Sequence, residues 1–252
     1  MKLNRLNKRI IVVLASLLVA ILVVVANVTR VRSQVRGIDV SLRYKGTPAL
    51  VSQQTVADTV LRHIPNLLTL SVKDVDCDQV AEAARQVPYL TKVSASVSVS
   101  GKVVVRAEQR RPMARLFYGN REMYMDREGA LFPVSDMGNC NVLVAGGDFT
   151  EPLRKDSLNA QLQSLWQVAS FLDEERKFSE LIDQIYVESD GDVMMAPKVG
   201  NHVIELGDAD NLDEKFDNLL TFYRKGMPIA GWDTYSSVSL KFRNQVVCKK
   251  NK

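Results

Sequence analysis

The sequence contains few of the residues from which enzymes usually build active sites. Its two histidines, His63 and His202, lie far apart, and neither has a neighbour at metal-ligand spacing. No Gly-x-Ser-x-Gly, Ser-x-x-Lys or glycine-rich phosphate-binding loop is present. Distant carboxylates can still converge in a fold, so these absences favour a binding protein without excluding an enzyme. We therefore expect no catalytic residues, no metal, no cofactor and no small-molecule substrate.

Cysteine is also sparse. The three cysteines, Cys77, Cys140 and Cys248, are an odd number at wide spacings, and no Cys-x-x-Cys occurs. This pattern excludes a disulfide framework. One internal disulfide remains open, although three isolated thiols are the simpler interpretation.

The chain has little excess of charge of one sign. It has 33 basic and 29 acidic residues, a net charge of +4, and much of the excess lies close to the N-terminus. No basic patch alternates with aromatic residues, so nucleic acid is not an expected partner. The sequence shows no internal repeat and no low-complexity segment, and its 252 residues are enough for one large or two small domains.

A single long apolar run, Ile10 to Val28, is the feature that stands out. Between residues 10 and 26 only Ser16 is polar. A helix rises about 1.5 Å per residue, so about 20 residues cross the hydrocarbon core of a bilayer, and the run just reaches that length. A cleaved signal peptide is the alternative, but its apolar core usually has about 7–15 residues.

Basic residues flank the run on both sides. Those within residues 1–9 predict a cytoplasmic tail by the positive-inside rule. Residues 30, 32 and 36 are arginines, which fit anionic lipid headgroups. We predict one transmembrane helix at residues 10–28, with the bulk of the chain on the exported side.

Residues 37–110 predict a small α+β domain. Apolar residues alternate with polar ones in the strand segments, and they recur at helical spacing in the helix segments. The order strand–helix–helix–strand–strand predicts a three-stranded sheet with both helices on one face. The predicted elements are a strand at 38–44, a helix from Ser52 to Pro65, a helix from Asp76 or Asp78 to Pro88, and a hairpin of strands at 93–99 and 103–107 about a turn at 100–101.

The remaining residues predict a strand-rich region with two helices. One helix covers residues 156–173, and another follows a capping box formed by Asn211 and Glu214 and ends at Gly226 and Pro228. Gly146-Gly147 is interpreted as a turn, and the acidic segments at 173–175, 190–192 and 208–214 as solvated surface. The predicted strands are 113–118, 123–126, 131–132, 181–188, 193–196, 202–206, 235–240 and 245–248.

Four segments resemble the FtsQ/DivIB family of bacterial cell-division proteins. Residues 87–93 resemble the family's proline, aromatic residue and valine before a strand, and residues 109–115 resemble its domain junction. Residues 124–132 are similar to its aromatic-x-Asp-x-x-Gly hairpin, and residues 235–247 to its last two strands. Three departures indicate a divergent branch: Gln109 in place of Glu, Ser239 in place of Asp, and no proline in the turn at 100–101.

The resemblance implies a POTRA-like βααββ domain at residues 37–110 and an FtsQ-type β domain at residues 111–252. It implies a non-enzymatic divisome scaffold in the bacterial inner membrane at the division septum, with most of the chain in the periplasm. The implied partners are proteins of the FtsB and FtsL type and, through them, the septal wall synthase complex. One alternative is a POTRA-containing outer-membrane assembly or secretion factor, which would need several POTRA units or a barrel. A membrane-anchored wall enzyme is another.

The resemblance also locates a partner-binding surface in the last strands. In the family, a strand of the FtsB protein adds to the sheet edge there, and unpaired backbone groups supply affinity. Phe242 matches the aromatic residue that members use for this contact, although it could instead close the core. The residues implied to bind the partner are Leu240, Phe242, Arg243, Val246 and Val247.

Overall fold

A computed structural model describes residues 12–23, 33–118, 121–149 and 158–251. The chain divides into two compact units. The first comprises Met1–Lys45 and Val51–Gln109, and the second comprises Gly46–Leu50 and Arg110–Lys252.

Residues 12–23 form a helix, α1, whose apolar side chains are exposed. Across the described ranges, no helix has both the length and the apolar character needed to cross a membrane. The two ends of the predicted span, residues 10–11 and 24–28, lie outside the described residues, as does the predicted tail at 1–9.

The first unit contains a three-stranded sheet with the strand order β1-β3-β2. β1 runs parallel to the central strand β3, and β2 runs antiparallel to it. The predicted order of two helices between the first and second strands is confirmed, and two short 3-10 turns at 67–69 and 72–74 lie between the helices. The elements are β1 (Ile38–Arg43), α2 (Gln53–His63), α3 (Cys77–Arg85), β2 (Leu90–Val97) and β3 (Val103–Gln109).

Side-chain caps start both helices of this unit where the sequence predicted. Ser52 Oγ accepts from the backbone N–H of Thr55 at 3.0 Å, and Asp76 Oδ1 accepts from the N–H of Asp78 at 2.9 Å. The core between helices and sheet is aliphatic. Its fully buried members include Val56, Val60, Val80, Ala84, Val103 and Val105.

The hairpin between β2 and β3 has a wider connection than predicted. Val97 pairs with Val103, so five residues, 98–102, connect the strands. Gly101 N–H donates to the carbonyl oxygen of Ser98 at 3.0 Å, which closes a β-turn. Val99, predicted to be within a strand, lies in this connection and is 78% exposed. The alternating pattern failed here because a valine occupies the turn.

Within the described residues, the second unit is built on a nine-stranded sheet with the order β12-β11-β10-β9-β8-β7-β4-β5-β6. The predicted strand-rich region with flanking helices is confirmed as a mixed α+β architecture. Its strands are β4 (Pro112–Tyr118), β5 (Arg121–Asp126), β6 (Leu131–Pro133), β7 (Leu143–Gly147), β8 (Ile182–Val187), β9 (Val193–Pro197), β10 (Val203–Gly207), β11 (Tyr235–Ser239) and β12 (Val247–Lys250). Its helices are α4 (Ala160–Glu174), α5 (Arg176–Ser179), α6 (Leu212–Lys225) and α7 (Met227–Ala230).

Aromatic rings fill much of the core of the second unit. Phe178 and Phe216 are fully buried, with ring centroids 5.2 Å apart, and Phe171 lies 5.1 Å from Phe216. These three rings come from α4, α5 and α6. They therefore hold the helices to one another as well as to the sheet.

β7 corrects the interpretation of Gly146-Gly147 as a turn. Both glycines lie in a strand that runs parallel to β4 on one side and to β8 on the other. A Cβ on Gly147 would lie 2.6 Å from the carbonyl oxygen of Val187. The glycine is thus required by close packing within the sheet and not by a turn, and sequence pattern alone does not distinguish the two.

The predicted capping box at the start of α6 is wrong. Asn211 adopts a left-handed conformation with φ 53° and makes no side-chain capping bond. Glu214 instead accepts from the backbone N–H of Asn244 at 3.2 Å. The tertiary contact with the segment after β11 has replaced the local one. Pro228, predicted to stop this helix, lies in the first turn of the short helix α7.

The motif at residues 124–132 is a hairpin stabilised by a buried carboxylate. Asp126 is 1% exposed, and its Oδ1 accepts from the N–H of Ala130 at 2.8 Å, across a turn in which Gly129 has φ +75°. Arg110 Nη1 donates to Asp126 Oδ2 at 2.6 Å. Burial raises the pKa of Asp126, while the bonds from Arg110 and Ala130 oppose that shift. The motif is explained by turn chemistry.

Candidate functional site

The five residues expected to bind a partner lie at one end of the nine-stranded sheet. β12 is the outermost strand there, and β11 is its sheet neighbour among the strands that the structure describes. An outer strand directs backbone N–H and C=O groups away from the sheet, where a further strand can pair with them. We name β11, β12 and the connection at residues 240–246 the C-terminal edge. The five residues on it are Leu240, Phe242, Arg243, Val246 and Val247.

Leu240 belongs to the core and not to the exposed surface. Its side chain is 2% exposed and packs within the apolar core of the second unit. Its backbone N–H donates to the carbonyl oxygen of Glu205 at 2.8 Å. Its side chain therefore has almost no exposed surface to offer a partner, and the expectation that Leu240 takes part in partner binding stays a prediction. Leu240 packs the C-terminal edge against the core.

Phe242 and Arg243 are exposed in the connection between β11 and β12. Phe242 is 51% exposed, so the alternative that it closes the core is wrong. Both residues line a recess of about 170 Å³ beside the start of α6. Asp208 and Glu214 line the same recess, which therefore presents an apolar ring, a guanidinium and carboxylates together.

Two polar contacts hold the connection that displays Phe242. The bond from Asn244 to Glu214 joins it to α6, and Asn244 has a left-handed conformation with φ 57°. Lys241 Nζ lies 2.6 Å from Asp192 Oδ2 in the turn before β9, and this bond raises the pKa of Lys241. The exposed ring is thus held on a connection fixed at two points.

Residues 246–248, at the start of β12, alternate between the core and solvent. Val246 and Cys248 are half-buried against the core, whereas Val247 is 44% exposed. Lys249 and Lys250 are exposed. A strand that added to this edge would find one apolar side chain next to two cations, so it would be favoured if it carried apolar and acidic residues.

The acidic segment at 208–214 forms the predicted helix start and part of the recess. Lys215 Nζ donates to Asp208 Oδ1 at 2.6 Å and to its carbonyl oxygen at 2.8 Å. The bond from Lys215 holds the pKa of Asp208 below its usual value. One carboxylate beside Phe242 is therefore already neutralised by a lysine.

A larger cavity lies at the first residues of β4, β7 and β8 in the second unit. Its volume is about 480 Å³. Met113 and Leu172 give it an apolar lining, and Arg111 and Asp173 give it charges that neutralise each other at 3.0 Å. Arg127 also pairs with Asp173 at 2.6 Å. Sequence reasoning treated Asp173 as solvated and missed the cavity, because its lining comes from segments distant in sequence.

Both histidines make hydrogen bonds within the unit that contains them. His63 Nδ1 lies 2.9 Å from the carbonyl oxygen of Thr59 within α2. His202 is 2% exposed, its Nε2 lies 2.6 Å from Tyr223 Oη, and burial lowers the pKa of His202. The three cysteines are free thiols, as the simpler interpretation of the sequence predicted. Burial raises the pKa of each thiol, and for Cys140 and Cys248 it is the sole cause of the shift.

Three carboxylates meet at the turn between β8 and β9. Oxygen atoms of Glu188, Asp190 and Asp192 lie within 4.8 Å of one another, close enough to share a cation. Asp190 Oδ1 accepts from the N–H of Asp192 at 3.0 Å, and Asp192 pairs with Lys241. The hydrogen bond between Asp190 and Asp192 is typical of a turn, and Lys241 offsets part of the negative charge of the three carboxylates.

Comparison with known families identifies the second unit. Residues 111–249, more than half of the chain, match the family described as FtsQ/DivIB, C-terminal related. The matched range includes the sheet from β4 through most of β12, and so contains the C-terminal edge. No curated protein matches the chain.

Proposed function

This chain belongs to the FtsQ/DivIB family, and from that premise we propose that it is a non-enzymatic scaffold of the bacterial divisome. The family match supports a role in cell division. In the proposed role the chain binds proteins of the FtsB and FtsL type and connects them to septal wall synthesis. The family match spans the sheet from β4 through most of β12, and it favours this proposal over the outer-membrane assembly factor that the sequence left open.

We propose further that the partner is captured at the C-terminal edge by addition of a strand to β12. Exposed Phe242 and Val247 supply apolar contacts beside unpaired backbone groups, and Arg243 supplies a charge. Val246 and Leu240 act by keeping the edge packed on the core. Burial of an exposed aromatic ring and backbone pairing along the edge would together give affinity and register.

We propose that the apolar run at residues 10–28 anchors the protein in the inner membrane, with its N-terminus in the cytoplasm and its bulk in the periplasm at the septum. The length and composition of the run support this. The βααββ order of the first unit supports its assignment as a POTRA-like domain.

The test of the edge is Phe242→Asp in the full-length chain, assayed by capture of purified FtsB/FtsL-type partner. We expect at least about a tenfold loss of affinity, because a charge replaces an apolar contact worth more than ~1.4 kcal/mol. The matched control is Phe117→Asp, which changes a ring of similar exposure, 43%, on β4. It should leave capture unchanged.

Two outcomes separate the parts of the proposal. Unchanged capture by a folded Phe242→Asp protein would contradict the proposed edge while leaving the division role intact. Cells depleted of the protein should form smooth filaments, and a tagged copy should lie at midcell beforehand. Normal cell length after depletion would contradict the division role itself.

A further inference from the structure

The three-stranded sheet of the first unit has one face that is not packed against α2 and α3. Inward residues such as Val103 and Val105 alternate with outward ones, and the outward side chains of Ser41, Ser94 and Arg106 are exposed. The strand register sets these three side by side, since Arg106 pairs with Ser41 on one side and Ser94 on the other. The face is therefore largely polar, about 10 Å across and 20 Å along the strands.

Positive charge is concentrated on this face. Acidic residues slightly outnumber basic ones over residues 37–252 as a whole, yet here the balance is reversed. Asp39 pairs with Lys102 at 3.1 Å, while Arg106 donates to the neutral hydroxyl of Ser96 at 3.2 Å. We name the surface the basic face. Its charged residues are Arg43, Lys45, Lys92, Lys102 and Arg106, with Asp39 and Glu108 as the acidic members.

Three of its cations converge on one carboxylate. Lys45 Nζ lies 2.6 Å and Lys92 Nζ 3.3 Å from Glu108 Oε2, and Arg43 Nη1 lies 3.3 Å from Oε1. Both lysines have left-handed backbones, with φ 48° and 49°. One negative charge cannot neutralise three positive ones, so two remain for an external anion. The side chains of Arg43 and Lys92 are 75% and 68% exposed, and can reach such an anion.

The covalent path from the apolar run to this sheet is short. The carbonyl oxygen of Ser33 accepts from the N–H of Val72 at 2.9 Å, and Arg36 N–H donates to the carbonyl oxygen of Gly101 at 3.0 Å. The chain is thus fixed to the first unit from residue 33 onward. Five Cα–Cα steps join residue 28 to residue 33, a distance of at most about 18 Å. A run anchored in a bilayer would hold the sheet close to the headgroups.

We propose that the basic face lies on the membrane surface and binds the phosphates of anionic lipid headgroups. This inference rests on the proposed anchoring at residues 10–28. The cations lie on one exposed face of the sheet, and those around Glu108 exceed the charge of that carboxylate, which suits the phosphates of a lipid surface. An extended acidic peptide would instead find its backbone partners at the sheet edges, away from this arrangement. Attraction of this kind is screened by salt.

The experiment measures lysine acylation by mass spectrometry in the full-length protein reconstituted into vesicles. One set contains phosphatidylcholine alone, and the other contains added phosphatidylglycerol. We expect Lys92 and Lys102 to react several-fold more slowly with the anionic vesicles, and the difference to disappear at about 1 M salt, where the screening length falls to about 3 Å. Lys177 and Lys198 in the second unit serve as internal references.

Variants test whether the basic face causes the protection. Arg43→Gln with Arg106→Gln should reduce the protection of Lys92 and Lys102. The matched control, Arg121→Gln with Arg176→Gln, removes the same charge from the second unit and should not.

Equal acylation rates in the two vesicle types, for a chain that resists carbonate extraction, would overturn the proposal and leave the division role standing. Extraction of the chain by carbonate would overturn the anchoring and this inference together. Protection that requires a soluble acidic peptide instead of lipid would assign the face to a protein partner and also overturn it.

Discussion

The two units cover a sheet with helices in different ways. The first unit closes its core with valine, alanine and leucine, and its fully buried side chains contain no ring among the described residues. The second unit uses Tyr124, Phe132, Phe178 and Phe216 as its largest fully buried side chains. Small aliphatic residues let helices approach a narrow sheet closely. A wider sheet with helices from distant segments leaves larger gaps, which rings fill at low entropic cost.

The units also differ in where they place charge. The first gathers three cations around Glu108, whose side chain is 15% exposed. The second buries a carboxylate, Asp126, with Arg110, and a histidine, His202, with Tyr223. Exposed charges respond chiefly to salt, whereas buried ones contribute to unfolding free energy and to pH dependence. The stability of the first unit should therefore depend more on salt, and that of the second unit more on pH.

The largest expected effect is from Phe216→Ala in the aromatic core. Removing the ring should lower the unfolding free energy of the second unit by about 3–5 kcal/mol, because the neighbouring rings of Phe171 and Phe178, from two other helices, cannot collapse fully into the space. Hydrogen exchange with mass spectrometry measures each unit separately. The matched change in the aliphatic core, Val105→Ala, should cost the first unit about 2 kcal/mol. Equal losses would remove the contrast between the cores.

A smaller effect is expected from Asp126→Ala. The substitution removes the acceptor for Ala130 N–H and leaves Arg110 without its partner, so the second unit should lose about 2 kcal/mol. The comparison is Glu108→Gln in the first unit, which leaves three cations repelling one another. Its destabilisation, read by the same exchange experiment, should shrink as salt is added, and that of Asp126→Ala should not. Identical salt dependence would remove this contrast between the two carboxylates.

The smallest effect is a pH dependence confined to the second unit. The pKa of His202 is lowered in the folded state, so the unfolded chain takes up a proton first as pH falls. Its contribution to stability is present above about pH 6.5 and is lost as pH falls from there towards the folded pKa, at a rate of at most about 1.4 kcal/mol per pH unit. Melting between pH 7.5 and 5.5 should show this loss, and His202→Gln should remove it.

The control for that prediction is His63→Gln, since His63 is exposed in the first unit. Carboxylates with lowered pKa values, such as Asp208, lose their contribution only under more acidic conditions. A pH dependence that survives His202→Gln between pH 7.5 and 5.5 would assign the effect to another group.

The sequence pattern predicted the elements of the first unit more accurately than those of the second. In the first unit, strand alternation and the helix starts at Ser52 and Asp76 predicted the order of the elements, because each element is specified by neighbours in sequence, although alternation wrongly placed Val99 in a strand. In the second unit, β7 was missed because its glycines pack against strands far along the chain. The cap at Asn211 failed because Glu214 found a partner thirty residues away.

At the candidate site, too, some features could be predicted from the sequence and others could not. The family motifs were readable from the residues, and the resemblance that they carry implied a partner-binding edge in the last strands. The burial of Leu240 and the exposure of Phe242 were not, because neighbouring apolar residues after a strand are equivalent in sequence. Which of them turns inward depends on the pairing of Leu240 with Glu205 and on the ties of the connection to Asp192 and Glu214.

The sequence by itself determined the βααββ order of the first unit, the strand-rich character of the second and the family, since all three follow from local periodicity and short motifs. Only the tertiary structure decided the order of the nine strands, the placement of the charges around Glu108 and the orientation of Phe242. These depend on contacts between segments far apart in sequence, and their free energies are not encoded in any single segment.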